Sequence, residues 1–260
     1  MPQQPAIQFG YRRHPDQDRP TGQEARHPAV VVGAGITGVS AALAMERRGL
    51  DVRIVERHTL ATGASARNAG FLMRGCADHY SEACRIHGRE LSKWLWRLTE
   101  ENLASLRALG ADQLPSFRSV PSCLLAMEIS QEADLLRSCV QMEADGFEAR
   151  WINSGSDRIW ATGRIRGALV NPHDASVNPW ELMTMLAGRL RRPIHENAEV
   201  FAIEELRGSS TVRVSTPDAE LHAPHVLVCT NAYAPLLLPD FERLVTPRRG
   251  PRLGLRFPRD

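Results

Sequence analysis

Gly33-Ala34-Gly35-Ile36-Thr37-Gly38 is the run whose residue types and spacing point most directly to chemistry. Gly33 lets the chain turn tightly, Gly35 leaves out a side chain that would keep backbone from a pyrophosphate, and Gly38 lets a helix pack close on a sheet. Three glycines at this spacing also arise by chance, so the flanking residues decide. Ala29 to Val32 reads as a buried strand running straight into the turn, and Ile36 to Arg48 reads as a helix that Gly49 stops. The first turn of such a helix offers unpaired N–H groups and the positive end of its dipole to phosphate. Glu56 stands eighteen residues beyond Gly38, at the end of a second strand from Val52 to Glu56. A carboxylate there accepts the two hydroxyls of an adenosine ribose and repels a 2′-phosphate, which leaves FAD or NAD and disfavours NADP.

Other groupings of reactive residues are weaker. Cys76, His79, Cys84 and His87 fall within twelve residues, but the segment enters a long helix rather than a small zinc module, so no metal site is assigned. His195-Glu196 lacks the second histidine of a metalloprotease motif. His173-Asp174 stands beside Asn171-Pro172 and reads as a loop turn rather than an acid–base pair. Trp94, Trp96, Trp151, Trp160 and Trp180 read as packing residues. No residue carries a catalytic role by motif.

The elements that must position the glycine turn belong to a mixed α/β chain, since the apolar pattern alternates between periods of 2 and 3.6. A polar arm is expected over 1–27, with Phe9 and Tyr11 as its only aromatic residues. A long helix is expected from Ser81 to Leu109, with Leu91, Trp94, Leu95 and Leu98 on its inner face. A strand follows over Cys123 to Met127, then a helix over Gln131 to Asp145 with Ser130 as its cap. Asn178-Pro179-Trp180-Glu181 opens another helix, with Asn as cap, Pro in the first turn and Glu three residues after the cap. Strands are expected over 200–206, 211–215 and 225–229.

Composition narrows the class. The 260 residues are 43% hydrophobic and 24% charged, which fits a globular chain of one or two domains and excludes collagenous or disordered types. A net charge of +2 provides no broad basic surface for nucleic acid. Lys93 is the only lysine, and the arginines are scattered through the chain. Five cysteines without a C-x-x-C pair point to a reduced, cytoplasmic protein rather than a disulfide framework. Residues 28–45 are uncharged and long enough to span a bilayer, but their three glycines and leading proline argue against a membrane span.

Beyond the turn, the sequence resembles the FAD-dependent amino-acid and amine oxidases, the family of D-amino-acid, glycine, sarcosine and γ-glutamylputrescine oxidases. The resemblance is carried by Val30 through Glu56-Arg57 to Thr62-Gly63-Ala64-Ser65-Ala66-Arg67-Asn68-Ala69-Gly70. It continues through Arg166 to Leu169 and Val177 to Pro179, then Ala198-Glu199-Val200, His225 through Thr230-Asn231-Ala232-Tyr233, and Val245 to Gly250. Cys229 stands where a smaller residue is usual. The resemblance selects FAD over NAD. It implies cofactor contacts from Gly33, Ala34, Gly35, Ile36, Thr37, Gly38, Glu56, Arg57, Gly63, Ala64, Ser65, Arg67, Asn68, Ala69, Gly70, Val200, Thr230 and Asn231. Ser65, Arg67 and Asn68 enter as hydrogen-bond donors.

The fold so implied is a Rossmann-like FAD-binding domain interleaved with an α+β substrate domain. Its segments are an arm over 1–27, the FAD-binding βαβ unit and pyrophosphate loop over 28–75, and helices with a substrate-domain segment over 76–195. A return to the FAD-binding domain follows over 196–235, and the start of a further substrate-domain segment over 236–260. The implied reaction is oxidation of a C–N bond in a small-molecule amine or amino acid. Family members continue well beyond the equivalent of Gly250, so a C-terminal portion is expected to be missing. The alternatives to such an oxidoreductase are a catalytically incompetent, truncated FAD-binding remnant, or one half of a two-chain flavoenzyme.

Overall fold

The computed structural model describes residues 25–155 and 164–247. Phe9, Tyr11, Trp160 and the run from Arg248 to Asp260 lie outside the described residues, as does most of the expected arm. Two compact units divide the chain: residues up to Ser65 with those from Met183 onward, and Ala66–Leu182 between them.

In the first unit, Ala29–Val32 is the central strand of a three-stranded parallel sheet, flanked by His225–Val228 and Val52–Val55. Val30 pairs with Val226 on one side and Arg53 on the other. All four residues of the central strand are buried, as a nearly continuous apolar run in a parallel sheet demands. Helix α1 (Ile36–Arg47) is the crossover between the first two strands and buries Gly38, Val39, Ala42 and Leu43. A second sheet runs Ala25–Arg26, Glu220–Ala223, Val212–Ser215, Ala202–Glu205, the last three antiparallel. Val30, Val32, Val55, Val200, Val214 and Leu221 form one core cluster. Two elements depart from the sequence expectation: Ala25–Arg26 is a strand rather than part of an arm, and Glu220–Ala223 is a strand with no strong β signal.

The second unit builds on Gly167–Asn171, a fully buried strand between Ser122–Ala126 and Arg150–Asn153. Helices α2 (Tyr80–His87), α3 (Arg89–Ala108) and α4 (Ile129–Ala144) belong to this unit. Tyr80 sits at the centre of the core, edge-on to Trp96 at 4.9 Å and to Phe147 at 5.7 Å. Its hydroxyl donates to the buried Asp145 carboxylate at 2.7 Å, which also takes Arg89 Nε at 2.9 Å. A small sheet places Ala175–Ser176 between Phe71–Leu72 and Arg118–Ser119.

The expected long helix is two helices, parted at Gly88, and its inner face differs from the expected one. Ser92 and Trp96 are buried, while Leu91, Trp94 and Leu98 are exposed, Trp94 at 58%. Apolar residues occupy two sides of α3, and Trp96 is the one that meets Tyr80. Helix α4 starts at Ile129 with Glu128, not Ser130, as its cap, and Gln131 Oε1 accepts the Met127 and Glu128 amides. In α5 (Pro179–Ala187) Asn178 does cap, accepting Trp180 N–H at 2.9 Å. Glu181 does not close a capping box there; it accepts the Ser116 hydroxyl at 2.6 Å.

Candidate functional site

The three parallel strands end at one place, where Gly33 opens the turn. Gly33 has φ +102°, and a Cβ on it would lie 2.8 Å from the Cys229 carbonyl oxygen. Only glycine meets both demands. Its N–H donates to Val55 O at 2.8 Å, and Cys229 N–H donates to Val32 O at 2.8 Å, so the turn is bonded to both neighbouring strands. Gly38 packs against it so closely that a Cβ would fall 2.0 Å from Gly33 O.

Helix α1 begins at Gly35, which has no side chain to cap it. Ser65 supplies the cap from the loop after the second strand: its Oγ accepts Ile36 N–H at 2.9 Å. Ser65 therefore acts here as an acceptor, and one of the first-turn N–H groups expected to face phosphate is already bonded to protein.

Glu56 Oε2 accepts Ala34 N–H at 2.8 Å, and Oε1 accepts His58 N–H at 3.0 Å. The acid is thereby tied to the glycine turn. Its main chain is held by the 195–198 segment: Glu56 N–H donates to His195 O at 2.8 Å, and Ala198 N–H donates to Glu56 O at 2.9 Å. That clamp brings Val200 to the same place.

Together these residues line a cleft of about 490 Å³, within the size range of small-molecule sites, at the carboxyl ends of the parallel strands. Of the expected cofactor residues, Gly33, Ala34, Gly35, Ile36, Thr37, Glu56, Arg57, Gly63, Ala64, Ser65, Val200, Thr230 and Asn231 line it. Gly38 lies buried behind the turn. Arg67, Asn68, Ala69 and Gly70 fall in the second unit and do not line this cleft. There Asn68 Oδ1 accepts Gly70 N–H at 2.9 Å, and Gly70 O accepts Val177 N–H at 2.9 Å.

Other lining residues carry no sequence signal of their own: Thr59, Ala61, Phe201, Leu236 and Leu237. Phe201 and Leu236 are largely exposed and give the cleft an apolar rim. The Arg57 guanidinium sits over the Tyr233 ring, 4.3 Å from its centroid. Thr230 Oγ1 is buried and has no hydrogen-bond partner among the described residues. Burial pushes the Cys229 thiol above its ordinary pKa, so a neutral thiol, not a nucleophilic thiolate, lines the cleft.

The weaker groupings are structural. His79 is the N-cap of α2, its Nδ1 accepting Glu82 N–H at 3.4 Å. Asp174 accepts Arg74 N–H at 3.0 Å and the Ser122 hydroxyl at 2.5 Å, while His173 pairs instead with Glu148 at 2.7 Å. Glu196 accepts Leu60 N–H at 2.7 Å. Among the described residues, no three His, Cys, Asp or Glu side chains gather as a metal-binding group.

Comparison with known proteins gives a consistent picture. The family model described as FAD dependent oxidoreductase matches residues 29–258. Gamma-glutamylputrescine oxidoreductase of Escherichia coli (strain K12) is 25% identical over 206 residues, covering 78% of this chain and 48% of the relative. The probable oxidoreductase OrdL of Haemophilus influenzae is 30% identical over 249 residues, covering 88% of this chain and 54% of the relative. Glycine oxidase from Geobacillus kaustophilus has a similar fold, with a TM-score of 0.66 at 23% identity, covering 82% of this chain and 57% of that one. The chain spans about half the length of the curated relatives it matches.

Proposed function

Because the chain belongs to the FAD dependent oxidoreductase family, we propose that its cleft holds FAD and that the protein oxidises the C–N bond of an amino acid or amine. The observation that carries this reading is the meeting of the glycine turn, the Glu56 carboxylate and the unpaired Thr230 hydroxyl in one cleft. These residues fit the cofactor. Gly33 and Gly35 leave room for a pyrophosphate beside backbone, and each Glu56 oxygen keeps a lone pair for a ribose hydroxyl beyond the N–H it already accepts. A buried hydroxyl without a partner is uncommon, and Thr230 gains one by donating to a cofactor oxygen. Arg67, Asn68, Ala69 and Gly70 stay proposed cofactor contacts on the family resemblance alone.

Bound FAD supplies a two-electron acceptor. The reaction class is conversion of the C–N bond to an imine, which water hydrolyses. This chain's share is to hold the cofactor and to exclude a 2′-phosphate through Glu56. The coverage of about half of each relative favours a second reading, in which a completing polypeptide is needed for turnover. All five cysteines are free thiols, which suits a cytoplasmic protein, and no helix among the described residues is long and apolar enough to cross a membrane.

Titrating the purified chain with FAD while recording its visible spectrum tests the proposal. Retained flavin absorbance that bleaches on anaerobic addition of an amino acid or amine, with retention lost in Glu56→Ala, is the expected result. A chain that stays colourless after FAD addition overturns it, and retained flavin that never bleaches supports the second reading.

A further inference from the structure

Residues 195–198 run as a strap along the end of the second parallel strand. His195 N–H donates to Ile54 O at 2.9 Å and its carbonyl accepts Glu56 N–H at 2.8 Å, a parallel bridge to Val55. Glu196 Oε1 accepts Leu60 N–H at 2.7 Å, Asn197 N–H donates to His58 O at 2.9 Å, and Ala198 N–H donates to Glu56 O at 2.9 Å. Every residue of the strap is therefore bonded to the 54–60 segment, and Glu56 is gripped through both of its main-chain groups.

The strap has a second anchor behind it. The His195 imidazole is only 10% exposed, and its Nε2 lies 3.1 Å from Asp218 Oδ2. Asp218 belongs to the connection between Val212–Ser215 and Glu220–Ala223 in the other sheet of this unit, where its Oδ1 accepts the buried Thr216 hydroxyl at 2.9 Å. Burial pushes the Asp218 carboxyl up, but the Thr216 hydroxyl and His195 outweigh it and hold the group below its ordinary pKa. A charged carboxylate only accepts, so the imidazole carries its proton on Nε2 and donates it. Its Nδ1 is buried with no hydrogen-bond partner among the described residues, so the bond to Asp218 is the polar contact that orients the ring.

A line of hydrogen bonds thus runs from the Thr216 hydroxyl through Asp218 and His195 to Glu56, whose carboxylate is in turn tied to Ala34 of the glycine turn. Neither His195 nor Asp218 lines the cleft, so their effect on its occupant passes through Glu56.

We propose that His195, oriented by Asp218, is a positioning residue for the cofactor: it fixes the strap that holds Glu56 where its carboxylate meets the adenosine ribose. This assignment rests on the cofactor reading above and deepens it. Hydrogen bonds from ribose hydroxyls to a carboxylate weaken steeply away from their preferred distance and angle, and a loosened strap lets the acceptor drift. A preset Glu56 also lowers the ordering cost of binding.

Titration with FAD, followed by quenching of its fluorescence, tests the proposal in the parent chain, His195→Leu, His195→Gln, and His195→Leu set against a Glu56→Gln background. His195→Leu should weaken binding about fivefold or more, roughly the worth of one hydrogen bond. His195→Gln places an amide N–H donor within reach of Asp218 and should recover most of that loss. In the Glu56→Gln background the Leu substitution should matter clearly less, because a residue that acts through the Glu56 carboxylate has less to position there. Thermal melts serve as fold controls, and if His195→Leu is unfolded Asp218→Ala takes its place. Unchanged affinity in His195→Leu, no recovery in His195→Gln, or an equal loss in both backgrounds overturns the proposal. Hydrogen exchange of the Glu56 amide in the chain without FAD is a readout independent of the cofactor: about tenfold faster exchange in His195→Leu is expected, and unchanged exchange overturns the positioning role. Failure of the parent chain to take up FAD counts against the cofactor reading alone, since the exchange measurement still reports on His195.

Discussion

The Ser65 hydroxyl accepts the Ile36 amide at 2.9 Å across 29 residues of sequence, so α1 is capped by the loop that follows the second parallel strand. A single hydrogen bond thus couples the helix start to that loop. Ser65→Ala leaves the Ile36 N–H without its acceptor. The loss should be about 0.5–2 kcal/mol, the usual worth of a helix cap. In a chain of this size it should lower Tm by about 1–8 °C in differential scanning fluorimetry. An unchanged Tm would show that water replaces the cap at no cost.

Two glycines of the same site should respond in opposite ways to alanine. A Cβ on Gly38 would sit 2.0 Å from Gly33 O, a backbone atom that cannot move without opening the turn. Gly38→Ala should therefore cost at least about 3 kcal/mol, at the upper end of overpacking penalties. At Gly63 a Cβ would meet nothing within 4 Å, and the backbone has no positive φ. Gly63→Ala should stay within about 0.5 kcal/mol of the parent. Urea denaturation of both variants makes the comparison, and equal midpoints would contradict the close packing of α1 on the turn.

The cleft is legible in the sequence where its determinants are local. A valine run, three glycines at fixed spacing and an acid at the next strand end are all properties of short windows, and each falls where its window places it. The face of α3 is not legible, because Leu91, Trp94 and Leu98 compete with Trp96 for the interior and only the position of Tyr80 decides between them. Ser65 is readable as a polar candidate for the cleft but not as the acceptor of the Ile36 amide, since its partner lies in another segment. The small sheet that sets Phe71 and Arg118 on either side of Ser176 has no sequence signature at all: strand register assembles it from three distant segments.

Tyr233 is exposed on the cleft and carries the Arg57 guanidinium on its ring, 4.3 Å from the centroid. A cation over an aromatic face at an exposed site is worth about 0.5–1 kcal/mol. If that contact holds Arg57 in place for the nucleotide, Tyr233→Leu should weaken FAD binding by about two- to fivefold. Tyr233→Phe keeps the ring face and should bind as the parent does. Quenching of FAD fluorescence measures both. Equal loss in the two variants would assign the effect to the hydroxyl instead.

The Tyr80–Asp145 pair in the second unit should set the pH limits of stability. The Arg89 hydrogen bond holds the Asp145 carboxyl below its ordinary pKa against the opposing effect of burial, and the Tyr80 hydroxyl adds to the lowering. Between the folded and unfolded pKa values the unfolded chain binds more protons, so stability there rises with pH. The contribution is complete above about pH 4 and is lost as pH falls through the lowered value. Tyr80 moves the other way: burial first, then Asp145, raises its pKa. Its contribution is complete below about pH 10 and is lost as pH rises through the raised value. Asp145→Asn should flatten the acid limb of a Tm-against-pH curve, and it also relieves part of the shift on Tyr80. Tyr80→Phe should flatten the alkaline limb while leaving most of the acid limb, since Arg89 remains on Asp145. An acid limb unchanged in Asp145→Asn would place the acid sensitivity elsewhere, with Asp51, Glu82 and Asp218 the other carboxyls held low among the described residues, through Arg192, through Arg85 and through Thr216 with His195.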